Sequence, residues 1–348
     1  MGGLLSVALS RGSPRVAVSH RPALWSPDVP QPCTVMKAVP VPRPPGRLVR
    51  TGQCSGMGRR GFAPTVQPWS AGGRVTTYHV RVLILLPPSE GKTAPASGPS
   101  LDLDSLLEAD RLTAARREVM SALAEVSRSA EAASVLGLGP RSAEQVGTNL
   151  VLETSPCVPA HQLFTGVLYE AAGLDSIAED PAGRSALERH CIVFSGLWGI
   201  LSPTDLLPDH RLSMGTSLPG PGRLSTFWKP YLAPSLTGLA AQGLVVDCRS
   251  ADYAAAWKPS ARDGIEVVTV RVVRTADDGS RKVVSHMAKH ARGLLTGELL
   301  RAVAGESLPA PVRVDDIASI AERLDGVDAI EVSEPDRQGR RVLTLVTH

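Results

Sequence analysis

Cys191-Ile-Val-Phe-Ser-Gly-Leu-Trp-Gly-Ile-Leu-Ser-Pro-Thr-Asp-Leu-Leu-Pro-Asp-His-Arg-Leu-Ser-Met-Gly215 is the stretch on which the reading of this chain turns. Ile192, Val193 and Phe194 form an apolar run of strand length that stops at Ser195-Gly196, a small polar turn. Asp205, His210 and Arg211 follow within sixteen residues of the serine. Polar side chains gathered beyond the end of a buried strand are where α/β architectures collect ligand groups.

The same pattern recurs on both sides of that stretch. Val80–Leu86 is apolar and ends at Pro87-Pro88, and Leu244–Cys248 is a second run of this type. Helical spacing of Leu112, Ala115, Val119, Ala122, Leu123 and Val126 predicts an amphipathic helix over 104–126. Further helices are expected around 288–303 and 315–324. Glu266–Thr275 and Arg281–Ser285 flank Asp277-Asp278-Gly279 and read as a hairpin, and Val342–Val346 is expected to pair with Ala329–Val332. Strands and helices mix without strict alternation. The expected fold is therefore α+β, a single domain at 80–348 around a mixed sheet with flanking helices.

Residues 1–79 differ in kind. They are dense in Pro, Gly, Ser and Arg, as in Val39-Pro-Val-Pro-Arg-Pro-Pro-Gly46, and hold ten Lys or Arg against one acid, Asp28. Such a segment buries too little apolar surface to offset its ordering entropy and is expected to be disordered. A transit peptide and a nucleic-acid-binding tail both fit the charge; the reading taken is a start placed too far upstream. This segment carries +9 and the rest of the chain −6, so the overall +3 says nothing of polyanion binding by the rest. Five widely spaced cysteines without a Cys-x-x-Cys pair argue against a disulfide framework or a zinc site, and Cys191 and Cys248 read as core thiols. No apolar run approaches the roughly 20 residues of a membrane span, so a reduced cytoplasm is expected.

Several elements could carry chemistry. Leu86-Pro-Pro-Ser-Glu-Gly-Lys-Thr93 contains Gly-Lys-Thr, but a P-loop needs a glycine where Leu86 stands, and two prolines remove backbone donors. What survives is Lys92 at a strand's carboxyl end, suited to an anion. Val135-Leu-Gly-Leu-Gly-Pro-Arg-Ser-Ala-Glu-Gln-Val146 has the spacing of a helix-hairpin-helix turn, with Gly137 and Gly139 for the bend and Arg141 for a DNA phosphate; a plain helix–helix turn fits equally. Ser195, Asp205 and His210 do not make a hydrolase triad, because Phe194-Ser-Gly-Leu-Trp198 is no nucleophile elbow. Ser195 and Gly196 instead read as a cleft lining, with Arg211 supplying charge. Ser250-Ala-Asp-Tyr-Ala-Ala-Ala-Trp-Lys-Pro259 offers Ser250 as a helix cap and Lys258 as a cleft residue. In Ser285-His-Met-Ala-Lys-His-Ala-Arg-Gly-Leu-Leu295, Lys289 and Arg292 share one helical face. Trp228 reads as core.

These elements, in this order, resemble the bacterial YaaA family of peroxide stress resistance proteins over about 225 residues, from Val82 to roughly Val303. The family's Ser-Gly-Leu-aromatic-Gly-hydrophobic-Leu-x-Pro-x-Asp and Arg-Leu-x-Met-Gly patterns fall on Ser195–Asp205 and Arg211–Gly215. Its Ser-x-acidic-Tyr…Lys-Pro and Ala-Lys-x-Ala-Arg-Gly elements fall on Ser250–Pro259 and Ala288–Gly293. The resemblance implies a cytoplasmic role in peroxide resistance, by limiting free iron and the oxidative damage to DNA that follows, and binding of double-stranded DNA without sequence preference. An aromatic commonly replaces His210 in the family, which argues against a general base there. The residues themselves point to DNA or a nucleotide-like anion held where Lys92, Ser195, Gly196, Arg211, Lys258, Lys289 and Arg292 converge. The alternative is an enzyme acting on a nucleobase or nucleoside, with Asp205 or Asp252 as acid–base group. No cofactor motif or metal-ligand spacing is present in the sequence.

Overall fold

The computed structural model describes residues 82–347 apart from 241–242, 260–264 and 277–279. The expectation of disorder for 1–79 and the Asp277-Asp278-Gly279 turn both lie outside the described residues. What is described is an α+β domain built on an eight-stranded mixed sheet.

Its strands are β1 (Val82–Leu86), β2 (Cys191–Ser195), β3 (Gly199–Leu201), β4 (Leu244–Asp247), β5 (Glu266–Thr275), β6 (Arg281–Lys282), β7 (Ala329–Val332) and β8 (Arg340–Thr347). The order across the sheet is β7-β8-β5-β4-β1-β2-β3, with β6 alongside β5. β8, β5, β4, β1 and β2 are parallel; β3, β6 and β7 run antiparallel to β2, β5 and β8. All residues of β1, β2 and β4 are buried, as a central parallel strand covered on both faces requires, and this is why they read in sequence as unbroken apolar runs. The Glu266–Thr275 hairpin pairs Thr275 with Arg281, and the closing pair matches Ala329 with Val346, both as the sequence indicated.

The helices among the described residues include α1 (Ala109–Ser127), α2 (Val167–Ala172), α3 (Pro181–His190), α4 (Lys229–Ala240), α5 (Ser285–Ala304) and α6 (Val314–Ala321). The α1 stripe expected from the sequence is the buried one, Leu112 through Val126. It also buries Arg116, whose guanidinium donates to the carbonyls of Trp198, Leu107 and Ile200 and so joins α1 to the β2–β3 turn. Trp228 is fully buried, and its indole N–H donates to Gly196 O at 2.9 Å. No described helix is long and apolar enough to cross a membrane.

Strand order decides where a ligand can sit. From β1 the chain moves to β2 on one side, then returns to β4 on the other. The connections therefore diverge at β1, and the carboxyl ends of β1 and β4 are the place where open parallel sheets of this order bind ligands.

Candidate functional site

Three segments meet at that edge. The first follows β1 and carries Ser89, Glu90 and Lys92. Ser89 is buried, while Lys92 is half-buried and forms an isolated bridge with Phe164. Its Nζ donates to Ser89 O at 2.9 Å and lies 5.6 Å from the Phe164 ring centroid. Burial, with the Arg211 cation close by, lowers the Lys92 ammonium from 10.5 to about 7, against an opposing pull from Asp209 and Glu90.

The second segment is Asp209-His210-Arg211, all buried. Arg211 Nη1 donates to Asp209 Oδ1 at 2.6 Å and to His210 O, and its Nε donates to Gln145 Oε1 at 2.7 Å. His210 donates from Nδ1 to Pro208 O and stacks edge-on against Trp198 and Phe164. Its burial, with Lys92 next to it, drives its pKa well below 6.5, so it stays neutral. Asn149 clamps the backbone of Arg211 from both sides, accepting its N–H at 2.8 Å and donating to its carbonyl at 3.1 Å.

The third segment follows β4. Arg249 grips Asp247 through two hydrogen bonds of 2.8 and 2.7 Å, donates to Trp257 O and lies 4.2 Å over the Phe194 ring. This holds the short helix Ala251–Ala254 in place and with it Tyr253, whose hydroxyl is raised by burial against hydrogen bonds with Ser213 and the Met214 backbone. Glu90 acts electrostatically on both Lys92 and Tyr253, which ties the first segment to the third.

The structure sorts the residues singled out in the sequence. Lys92 and Arg211 are electrostatic neighbours. Ser195 is buried, and its hydroxyl accepts the N–H groups of Leu197 and Trp198, so it shapes the turn. Gly196 permits close packing: a side chain there would sit 2.7 Å from the Ser213 carbonyl carbon. Arg292 donates twice to Val270 O, a carbonyl of β5 beyond the last β4 pair, and lies near Cys248. Lys258 and Lys289 are exposed, and among the described residues no hydrogen bond or ion pair joins them to Lys92 and Arg211.

The two candidate acids have partners of their own. Asp205 accepts the N–H groups of Leu107 and Ser202, each at 3.0 Å, and fastens two loops; burial raises it to about 6 despite both bonds and nearby Arg116. Asp252 forms an exposed pair with Arg223 at 3.3 Å. The acids beside Lys92 are Asp209 and Glu90. Ser250 occupies the N-cap position but makes no side-chain capping bond.

The Gly137–Arg141 stretch joins two one-turn helices, Ala132–Val135 and Pro140–Ala143. Gly137 adopts φ 64°, and the N–H groups of Gly137 and Leu138 close back on Ser134 O and Ala133 O, a glycine-terminated helix end. Gly139 is the extended N-cap of the next helix, and Pro140 occupies its first turn. The side chain of Arg141 lies outside the described residues. Gln145 and Asn149, just downstream, are the residues that hold Arg211, so hairpin and cluster are mechanically linked.

Comparison with known proteins centres on the same segments. Residues 82–308 match the family described as peroxide stress protein YaaA. The chain belongs to that family. A UPF0246 protein of Streptomyces coelicolor is 43% identical over 221 residues, covering 63% of this chain and 83% of its own. One from Corynebacterium glutamicum is 37% identical over 269 residues, 76% of this chain and 100% of its own. The YaaA match takes in every site residue discussed and ends before α6, β7 and β8.

Two further YaaA features bear on peroxide. Cys248 is pushed up to about 12 by burial and Cys157 to about 11, and Cys191 is raised by burial as well. Thiols held protonated react slowly with peroxide, because the thiolate is the nucleophile. Among the described residues no group of three or more His, Cys, Asp or Glu could hold a metal ion.

Proposed function

We propose that this peroxide stress family protein binds a phosphate-bearing ligand, the DNA backbone or a nucleotide-like anion, at the cluster formed by Lys92 and Arg211, and that this binding serves to limit iron-dependent oxidative damage. The observation that carries the reading is the Lys92 ammonium at the divergence point of the sheet, next to Arg211. Arg211 spends Nε and Nη1 on fixed partners, and among the described residues Nη2 makes no hydrogen bond. A planar donor beside an ammonium suits phosphate oxygens.

Two measurements test it. A ligand anion pairs with the charged form of Lys92, so affinity for sulfate, whose own charge is constant near neutrality, should fall as pH rises through about 7. In Lys92→Met the affinity should be lower and this pH dependence absent. An unchanged pH profile in a folded variant removes Lys92 from the site. For duplex DNA, the Gly137–Arg141 hairpin is expected to add backbone contacts, and Arg141→Ala should lower the salt slope of log affinity by about one unit. An intact slope makes the hairpin a structural turn only.

A further inference from the structure

We propose that Lys92 is also a nucleophilic amine, which forms an imine with an aldehyde or ketone carrying a phosphate or carboxylate group. This rests on the anion-binding reading above, because the anionic group would place the carbonyl beside Nζ.

The geometry singles Lys92 out. Of the described lysines, Lys229, Lys258, Lys282 and Lys289 are exposed and only Lys92 is withdrawn from solvent. A lysine retained for structure normally pairs with a carboxylate. Lys92 has none within ion-pair distance among the described residues; its Nζ is aimed by a neutral carbonyl, Ser89 O, against the face of Phe164. The charge next to it is another cation, Arg211, itself fixed by Asp209 and Gln145. Desolvation with a neighbouring cation is the arrangement that keeps an amine partly unprotonated near neutral pH. The value of about 7 agrees with it.

In the step itself, the unprotonated Nζ adds through its lone pair to the carbonyl carbon, and the C=O π pair moves to oxygen. The two protons lost from nitrogen are carried by Glu90 or Asp209 to that oxygen, and the nitrogen lone pair then forms the C=N bond as the C–O bond breaks and the oxygen leaves as water. The products are the imine and one water, and no oxidant or reductant enters. Arg211 Nη2 is the group placed to hold the anionic end.

The test uses the full chain with glyceraldehyde 3-phosphate, an aldehyde bearing a phosphate, and cyanoborohydride to trap the imine at pH 7, with modified lysines mapped by mass spectrometry. Lys92 should be labelled at least about tenfold faster than Lys258 or Lys289, because its amine is partly unprotonated at pH 7. Glycerol 3-phosphate, which keeps the phosphate without the carbonyl, should slow that labelling. Lys92→Arg should lose the adduct and still bind glycerol 3-phosphate. Labelling of Lys92 no faster than of the exposed lysines overturns the imine, even where glycerol 3-phosphate binds. Fast Lys92 labelling that glycerol 3-phosphate does not slow upholds the amine and overturns the anion site instead.

Discussion

Arg249→Met is expected to cost the fold about 3–5 kcal/mol, measured as a lower midpoint of denaturant unfolding. Arg249 is buried against Asp247, which ends β4 with a side chain only 9% exposed. Methionine fills much of the same volume but leaves that carboxylate without its two side-chain donors, and a buried charge stripped of its partner costs more than the pair ever contributed. Trp257 O loses its donor, and Phe194 loses the guanidinium over its face. The double change Asp247→Asn with Arg249→Met should be milder than Arg249→Met alone, since the uncompensated charge is then gone. If the double variant is as unstable as the sum of its parts, the loss comes from packing and not from an orphaned carboxylate.

That pair was invisible in the sequence, and the reason is instructive. Asp247-Cys-Arg249 looks like the polar end of an apolar strand, and only the turn that follows folds the guanidinium back over its neighbour. The sheet itself was readable, because parallel strands buried on both faces must be continuously apolar, as 82–86, 191–194 and 244–246 are. Lys92 was singled out for a related reason: it lies in the loop leaving such a strand. Asp205 was read as an acid–base candidate, and Ser202-Pro-Thr-Asp205 also has the Ser-x-x-acid spacing of a capping box, of which the observed Ser202 N–H bond to its carboxylate is the reciprocal half. Ser195 was read as lining a cleft; in the fold it begins a tight turn and spends its hydroxyl on the next backbone amides. Asn149 and Gln145 could not be found at all: their partner, Arg211, is more than sixty residues away, and no local pattern records it. Lys258 and Lys289 matched family patterns, but pattern matching locates a residue in the chain and not on a surface.

Arg211→Met couples stability to the chemistry of the site. Asp209 and Arg211 are 10% and 7% exposed in their side chains, so removing the cation should again cost about 3–5 kcal/mol. Gln145 also loses its partner, which loosens the stretch downstream of the Gly137–Arg141 hairpin. The more informative change is at Lys92. Burial lowers its pKa first and the Arg211 charge second, while Asp209 opposes them. Without Arg211, and with Asp209 freed to attract the ammonium, the Lys92 pKa should move up from about 7 toward its ordinary 10.5. Two pH profiles should follow it. Lys92 labelling at pH 7 should slow, because less of the amine is unprotonated, and half-maximal labelling should shift to higher pH. The alkaline gain in stability should shift as well: a lysine lowered in the folded state carries fewer protons than in the unfolded chain between about 7 and 10.5, so stability rises with pH across that window, and the window narrows as the folded value climbs. Arg211→Lys keeps the charge and loses the fork, so it should lower stability while leaving the Lys92 profile close to wild type. Should Arg211→Met and Arg211→Lys displace the Lys92 profile equally, the charge of Arg211 does not tune the amine, and burial alone sets it.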